Sequence, residues 1–439
     1  MKIRGLVLLA AGAFFVFLSC AGSPDAYAPI DAGIRSGSFE NAISLLESGS
    51  VRKTVYTPRN QILFYLDRGM LKHYAELYRD SSDDLQTAEQ LIEDAFTRSI
   101  SQEIGSYLLN DNVKDYSGED YEDLYINVFN ALNYYYNNSI EGALVEIRRL
   151  NEKLNFLADK YERAKEKVLD SNKQVDPRQL PMEASRFSNS ALARYLGLLF
   201  YRGTGRTDSA RIDYEELCRA YDLAPAVYTN PIPSSVADEL TVPEGMGRLN
   251  VIAFTGLSPV KQETNIFIPL PFPYPNNMAR LALPRMAERP GAVQRAEAVL
   301  DNGEKFPLEL LEDMGAVARE TFKSRYSLMV LKTTARAITK AAASASLARA
   351  ASKNSGKGSD FGPLVGLLGR VFTEVSEQAD LRLSRYFPNN ALVGGINLEP
   401  GVHKLRVDFY GKSGLEYSED KEITVIERSL NLEEFICLK

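Results

Sequence analysis

Four stretches of one design constrain the fold more than any other feature of this chain. They are GSFENAISLLE at 37–47, DDLQTAEQLIE at 83–93, NSIEGALVEIRR at 138–149 and GRTDSARIDYEEL at 205–217. Each opens on turn-prone polar residues and then places a small alanine (Ala42, Ala88, Ala143, Ala210) near the start of a helical pattern. A small residue there lets a neighbouring helix approach closely, as in paired helices. Helical patterns also precede the last three stretches: ILFYLDRGMLKHYAELY, YEDLYINVFNALNYYY and ALARYLGLLFYRG. The spacing between units widens along the chain and exceeds the ~34 residues of a regular tetratricopeptide (TPR) array. Residues 30–228 therefore read as a TPR-like helical domain with insertions.

The texture changes at 229–246, where TNPIPSSVADELTVPEG reads as a linker. GRLNVIAFTG, 247–256, is the first strand candidate. Leu249, Val251 and Ala253 lie on one face and Ile252 and Phe254 on the other, so burial is expected on both sides. ETNIFIPLPF, 263–272, alternates, but its prolines confine it to a sheet edge or end. MARLALPRM, 278–286, is a third candidate. Helical periodicity returns over 307–379 as a pair of helices interrupted by SKNSGKGSDFG. In the tail, Leu405, Val407 and Phe409 alternate with Lys404, Arg406 and Asp408, a half-buried strand. LEPGVHKLRV resembles the turn and strand of small PEGA-type β modules. The expected fold is α+β: a TPR-like helical domain at 30–228, then a β-sandwich-like domain at 247–439 with inserted helices 307–379.

The N-terminus bears on location. Lys2 and Arg4 precede an apolar run, Leu6 to Leu18, that ends on a cysteine. The run falls short of the about 20 residues needed to span a bilayer and has the length of a signal-peptide core. Leu18-Ser19-Cys20-Ala21 resembles the bacterial lipobox, in which the peptide is cut before a lipid-bearing cysteine. That resemblance implies a signal peptide at 1–19, lipidation of Cys20 and a tether over 20–29. Ala21, where an aspartate would favour the inner membrane, implies the outer membrane. Net charge is −7 at pH 7, and removing Lys2 and Arg4 makes the remainder more acidic, which argues against a nucleic-acid role.

Chemistry-bearing motifs are sparse. His73 and His403 are the only histidines, so a His-rich metal site is excluded. Cys218 and Cys437 could pair but read better as two buried thiols. GTGRTDS at 203–209 and SGKGS at 355–359 lack the glycines of nucleotide loops, and neither a small-molecule cofactor nor a metal is expected. Asp111, Asp115, Glu119 and Asp120 cluster in one loop, where capping and turn chemistry explain them, with Ser117 as the cap; a cation or sugar site is the rival reading. Glu146, Arg148 and Arg149 read as a clamp for a partner or, since Glu146 and Arg149 stand at i, i+3, as a helical ion pair. Tyr121, Tyr125, Phe129 and Tyr136 recur at helical spacing. They read as core between paired helices, or as the aromatic lining of a partner-binding groove. The basic helix at 317–351 with GPLVGLLGRVF reads as internal packing or, alternatively, as a lipid-docking surface.

Several blocks together resemble a group of uncharacterised bacterial TPR-like envelope lipoproteins: the lipobox, LDRGMLKHYA at 66–75, LLNDNVKDYSGEDYE at 108–122, ALNYYYNNSIEGALVEIRR at 131–149, and ADLRLSRYFP with LEPGVHKLRV at 379–407. Members carry an Asp-x-Arg-x-Trp-x-x-Leu-Pro segment. Here Tyr386 stands roughly at the aromatic place and Phe387 precedes Pro388, so this part diverges. The resemblance brings no established activity. In some bacteria such a gene lies near one for a lipoprotein activator of peptidoglycan synthases, which implies cell-wall work. The expectation is a non-enzymatic scaffold that binds an envelope protein or cell-wall component, with Tyr121, Tyr125, Phe129, Tyr136 and Arg149 as contacts. The rivals are a carboxylate-based glycan-processing enzyme and a lipid-interacting protein using 317–376. The Cys20→Ser variant is expected to move from the membrane fraction to the soluble fraction and to lose its acyl mass in intact-protein mass spectrometry. An unmodified N-terminus on the parent protein overturns the lipid anchor.

Overall fold

The structure is a computed structural model and describes residues 24–101, 114–171, 173, 175–269, 278–354 and 378–439. The expected signal peptide, Cys20, Asp111 and the second inserted helix lie outside these residues. Ten helices are used below: α1 Pro24–Arg35, α2 Phe39–Glu47, α3 Gly49–Thr54, α4 Gln61–Tyr74, α5 Tyr78–Ser101, α6 Asp120–Tyr136, α7 Ile140–Ser171, α8 Ala191–Gly203, α9 Thr207–Leu223 and α10 Met314–Asn354. Nine strands follow Leu240: β1 Gly247–Leu257, β2 Val260–Pro269, β3 Met278–Ala287, β4 Arg295–Leu300, β5 Lys305–Asp313, β6 Pro388–Leu398, β7 Gly401–Gly411, β8 Gly414–Val425 and β9 Asn431–Cys437.

The helices pair through four short turns of one construction. Gly37, Glu76, Asn138 and Gly205 each adopt a left-handed conformation, with φ of 73°, 60°, 60° and 73°. In every turn that residue's N–H and the next N–H bond back into the preceding helix, as in Asn138 N to Tyr135 O and Ser139 N to Tyr134 O, both 2.8 Å. This double bond satisfies carbonyls that a helix end leaves free. Ala42, Ala143 and Ala210 follow their turns as expected and are fully buried. The second unit differs. α5 begins at Tyr78, so Ala88 sits well inside it, and Ser81 takes the close-approach position, its Oγ donating to Gly69 O at 2.8 Å. The helix also starts earlier than expected at the N-terminus. Residues 24–29 of the expected tether belong to α1, whose Tyr27 and Ile30 are buried.

The strands form one seven-stranded sheet in the order β8-β7-β4-β5-β6-β1-β9, plus the hairpin β2-β3. In place of a two-layer sandwich, the sheet curls nearly into a barrel, and Lys421 Nζ of β8 donates to Glu434 O of β9 at 2.7 Å across the closing edges. β1 is buried along its whole length. Leu249, Val251 and Ala253 join Val407, Phe409 and Phe435 inside the curl. Ile252 and Phe254 point the other way, into a core shared with Leu66, Phe129 and Leu196 of the helices. The expected linker is no gap in this packing. Residues Ser234–Leu240 form a 3₁₀ helix with buried Val236 and Glu239. Glu239 Oε1 accepts from Arg248 Nε at 2.9 Å and Asn250 Nδ2 at 2.8 Å.

The inserted helical region begins later than 307, because Lys305–Asp313 is strand β5 and α10 starts at Met314. Alternating burial of Phe306 and Leu308 fits a strand. α10 packs on α6, α7 and β3, with Val317, Val330, Leu331 and Ala335 buried. Its Arg325 donates to Gly118 O and Ser117 Oγ, and Arg319 pairs with Glu288 at 2.9 Å. These internal bonds favour packing over lipid docking for the first half of the helix. Cys437 is buried, Cys218 is half-buried, and both are free.

Phe129 and Phe254, 5.1 Å apart between ring centres, join helices to sheet. Phe254→Ala is expected to cost about 3–5 kcal/mol. Hydrogen exchange should report loss of protection in α6 and β1 together; loss confined to the sheet would mean two separately folding domains.

Candidate functional site

Every residue of α6 from Asp120 to Asn133 is buried except Asp123, which is half-buried. Of the expected groove residues, Tyr121 meets Phe387 at 6.0 Å, Tyr125 donates to Glu312 Oε1 at 2.8 Å, and Phe129 packs on Phe254. Tyr136 stacks on Tyr78 at 4.6 Å and is half-buried at the margin of the core. Tyr121, Tyr125 and Phe129 are core residues, Tyr136 packs half-buried against that core, and none of the four lines the two cavities described below. Helical spacing is the same for a concave face and for a helix enclosed between a helical layer and a sheet, so it could not separate the two.

Arg149 is different. It lines a cleft of about 290 Å³ between α5 and α7, floored by Ile92, Phe96, Leu124, Phe156 and Leu157. Phe156 is 47% exposed and meets Phe96 edge-on at 5.8 Å. Charge rings this floor in pairs. Arg149 bonds Glu89 at 2.6 Å and the expected partner Glu146 at 3.4 Å. Lys153 bridges Glu89 and Asp123, both at 2.6 Å, and Lys160 bonds Asp120 at 2.8 Å. Asn127 donates to Glu146 at 2.6 Å and Glu89 at 3.0 Å. Glu146 is thus tied first to α6, and the i, i+3 pair is its weaker contact. Burial pushes the Glu146 carboxyl up, whereas Lys153 outweighs burial at Glu89 and holds it low.

The acidic loop resolves into caps and ion pairs. Glu119 holds the N-cap position of α6, its N–H donating to Glu122 Oε2 at 2.8 Å. Ser117, the expected cap, accepts from Arg325 instead, while Glu119 binds Lys261 and Arg325. Asp120 accepts from Lys160 and Tyr161.

A seam of buried carboxylates between helices and sheet was not foreseen. Glu312, aimed by a bulge between Leu310 and Glu312, accepts from Tyr125, Tyr228, Ser190 Oγ and Leu192 N at the start of α8. Asp67 accepts from Tyr56 OH at 2.8 Å, Ser384 Oγ at 2.6 Å and Arg385 N at 2.9 Å. Glu122 accepts from Tyr116 OH and Ser384 N. His73 bonds Asn133 Oδ1 through Nδ1 and Glu434 Oε1 through Nε2, both at 2.7 Å. Asn133 spends its amide N–H on Ser81, so both ring nitrogens of His73 face acceptors, the arrangement of an imidazolium. The bonds to Ser384, Arg385 and Glu434 join segments more than 250 residues apart, and no local pattern announces them.

No family model, curated protein or solved structure matches the chain.

Burial raises Glu122 from 4.5 to about 7 and Asp67 from 3.8 to about 6, their hydrogen bonds only partly opposing it. At His73 burial lowers the pKa, but Glu434 and Asn133 more than offset it, and the net shift is upward. A raised carboxyl binds its proton more tightly folded than unfolded, so stability falls as pH rises from the ordinary carboxylate range through about 7. The His73 contribution is complete below 6.5 and is lost as pH rises through the folded value, in the same direction. The melting temperature is therefore expected to be higher near pH 5.5 than near pH 8. Glu122→Gln should melt lower by about 1–3 kcal/mol of stability and show a smaller pH difference. A flat profile in the parent protein counts against the seam.

Proposed function

We propose that the protein is a lipid-anchored bacterial envelope lipoprotein, held at the outer membrane through Cys20, that acts as a non-enzymatic TPR-like scaffold. Its partner is an envelope protein or cell-wall component, with the peptidoglycan-synthesis machinery the candidate that the family resemblance raises. The observation that carries this reading is the cleft between α5 and α7, an apolar floor with half-exposed Phe156 inside a ring of paired charges. An aromatic anchor within a polar rim is the common anatomy of a protein contact. Four helical hairpins with the same left-handed turn support the TPR-like description. The carboxylates raised by burial support recognition over glycan hydrolysis, since Asp67, Glu122 and Glu312 each spend their oxygens on donors of the seam. Among the described residues no helix is long and apolar enough to cross a membrane, which is compatible with an anchor at Cys20. The mechanism is local concentration: the anchor confines the cleft near the bilayer, so a modest contact suffices.

A photo-crosslinking residue at Phe156 is expected to capture one discrete partner in cells, while the same residue at Val402, 63% exposed on β7, captures none. Equal labelling at both positions, or none at either, overturns the cleft as the contact.

A further inference from the structure

A second cavity, of about 180 Å³, lies where the α4–α5 turn meets β8 and β9. It shares no lining residue with the α5–α7 cleft. Glu434 of β9 lines it with its side chain only 7% exposed. Its Oε1 takes the bond from His73, and its Oε2 has no hydrogen-bond partner among the described residues. A buried carboxylate oxygen left without a donor costs free energy that a native structure seldom leaves uncompensated.

The cations of the chain that line the cavity from β8 and the C-terminal end are engaged elsewhere. Lys421 donates to Glu434 O at 2.7 Å and stands 3.6 Å from Glu419. Lys439 donates to Glu416 O at 3.0 Å and sits over the Tyr417 ring. Two further carboxylates, Glu76 and Glu419, also line the cavity. Burial raises the Glu419 carboxyl; Lys421 opposes this, and the charges of Glu76 and Glu434 add to it. Of the four helical-hairpin turns, the one at Glu76 holds its left-handed conformation, φ 60°, on a residue that is neither glycine nor asparagine. That conformation disfavours a long side chain. Tyr74, Tyr78 and Tyr417 also line the cavity, and aromatic rings favour a neighbouring cation. No set of three acidic, histidine or cysteine side chains among the described residues is arranged to hold a metal ion.

We propose that this cavity binds a small ammonium group, carried on an alkyl chain of about amino-acid size, whose N–H donors seat on Glu434 Oε2 between the tyrosine rings. The volume admits roughly six waters' worth of liquid, at about 30 Å³ each, enough for an amine with four or five carbons. Exposed Arg35 also lines the cavity and can meet an acidic group on the same ligand.

The test uses the full chain and three probes: n-butylamine, 1-butanol, and Nα-acetyl-lysine methylamide, with binding read by calorimetry and by chemical-shift change. Butylamine is expected to bind saturably and butanol not at all. Glu434→Gln keeps an acceptor for His73 but turns an amide N–H₂ toward the cavity, and should weaken butylamine about tenfold or more. Glu76→Gly relaxes the turn and removes one acid, and should weaken it several-fold while raising the melting temperature. Tighter binding of the lysine amide than of butylamine assigns the ammonium to a polypeptide; weaker binding assigns it to a free amine. No saturable binding of either amine, or equal affinity in a folded Glu434→Gln protein, overturns the site. If Glu434→Gln does not fold, equal binding of butanol together with unchanged affinity in Glu76→Gly overturns it.

Discussion

The architecture depends on one strand having to be covered twice. β1 is apolar on both faces, and no single sheet surface can bury it. The curl of the sheet closes over Leu249, Val251 and Ala253; the helices close over Ile252 and Phe254. Once that is fixed, the rest follows from geometry. α6 must lie against the exposed side of β1, which encloses it, and the helical hairpins pack outward from α6. The 3₁₀ turn before β1 docks because Arg248 and Asn250 on the helix-facing side need Glu239 as an acceptor.

The second demand is polar. A helix layer laid on a sheet buries helix ends and backbone groups, and each needs a partner. Glu312 meets the free N–H groups at the start of α8, Asp67 and Glu122 meet the chain at Ser384 and Arg385, and His73 meets Glu434. Each bond adds little net stability, yet removing one partner strands a buried group at a cost of about 1–3 kcal/mol. The seam fixes register between the layers more than it adds strength.

Much of this was legible in the sequence. Paired helices followed from turn residues and small residues at short range, and β1 from two apolar parities in one run. The half-buried β7 followed from its alternation, Leu405 to Phe409. What stayed hidden was contact between distant segments. Periodicity marks Tyr121, Tyr125 and Phe129 as one helix face but does not say whether that face meets solvent or sheet. Ala88 reads as the close-approach residue because DDLQ has the pattern of a helix start, whereas Ser81, two turns earlier, takes that place. Arg149 reads from sequence as the i, i+3 partner of Glu146 or as a partner contact, but its tightest bond is to Glu89 on another helix. His73 and Glu434 meet only because β9 returns beside β1 in parallel.

That return has a consequence for biogenesis. Both hydrogen-bonded neighbours of β1, β6 and β9, follow residue 387 in the chain, after every helix named here has been made. While a nascent chain emerges, the helical hairpins have no sheet to cover and β1 has no strand to pair with. Closure waits for nearly complete synthesis, since such long-range contacts form late. In a polypeptide built this way the helical layer stays uncovered until the last strand is made, so maturation is paced by completion of the chain.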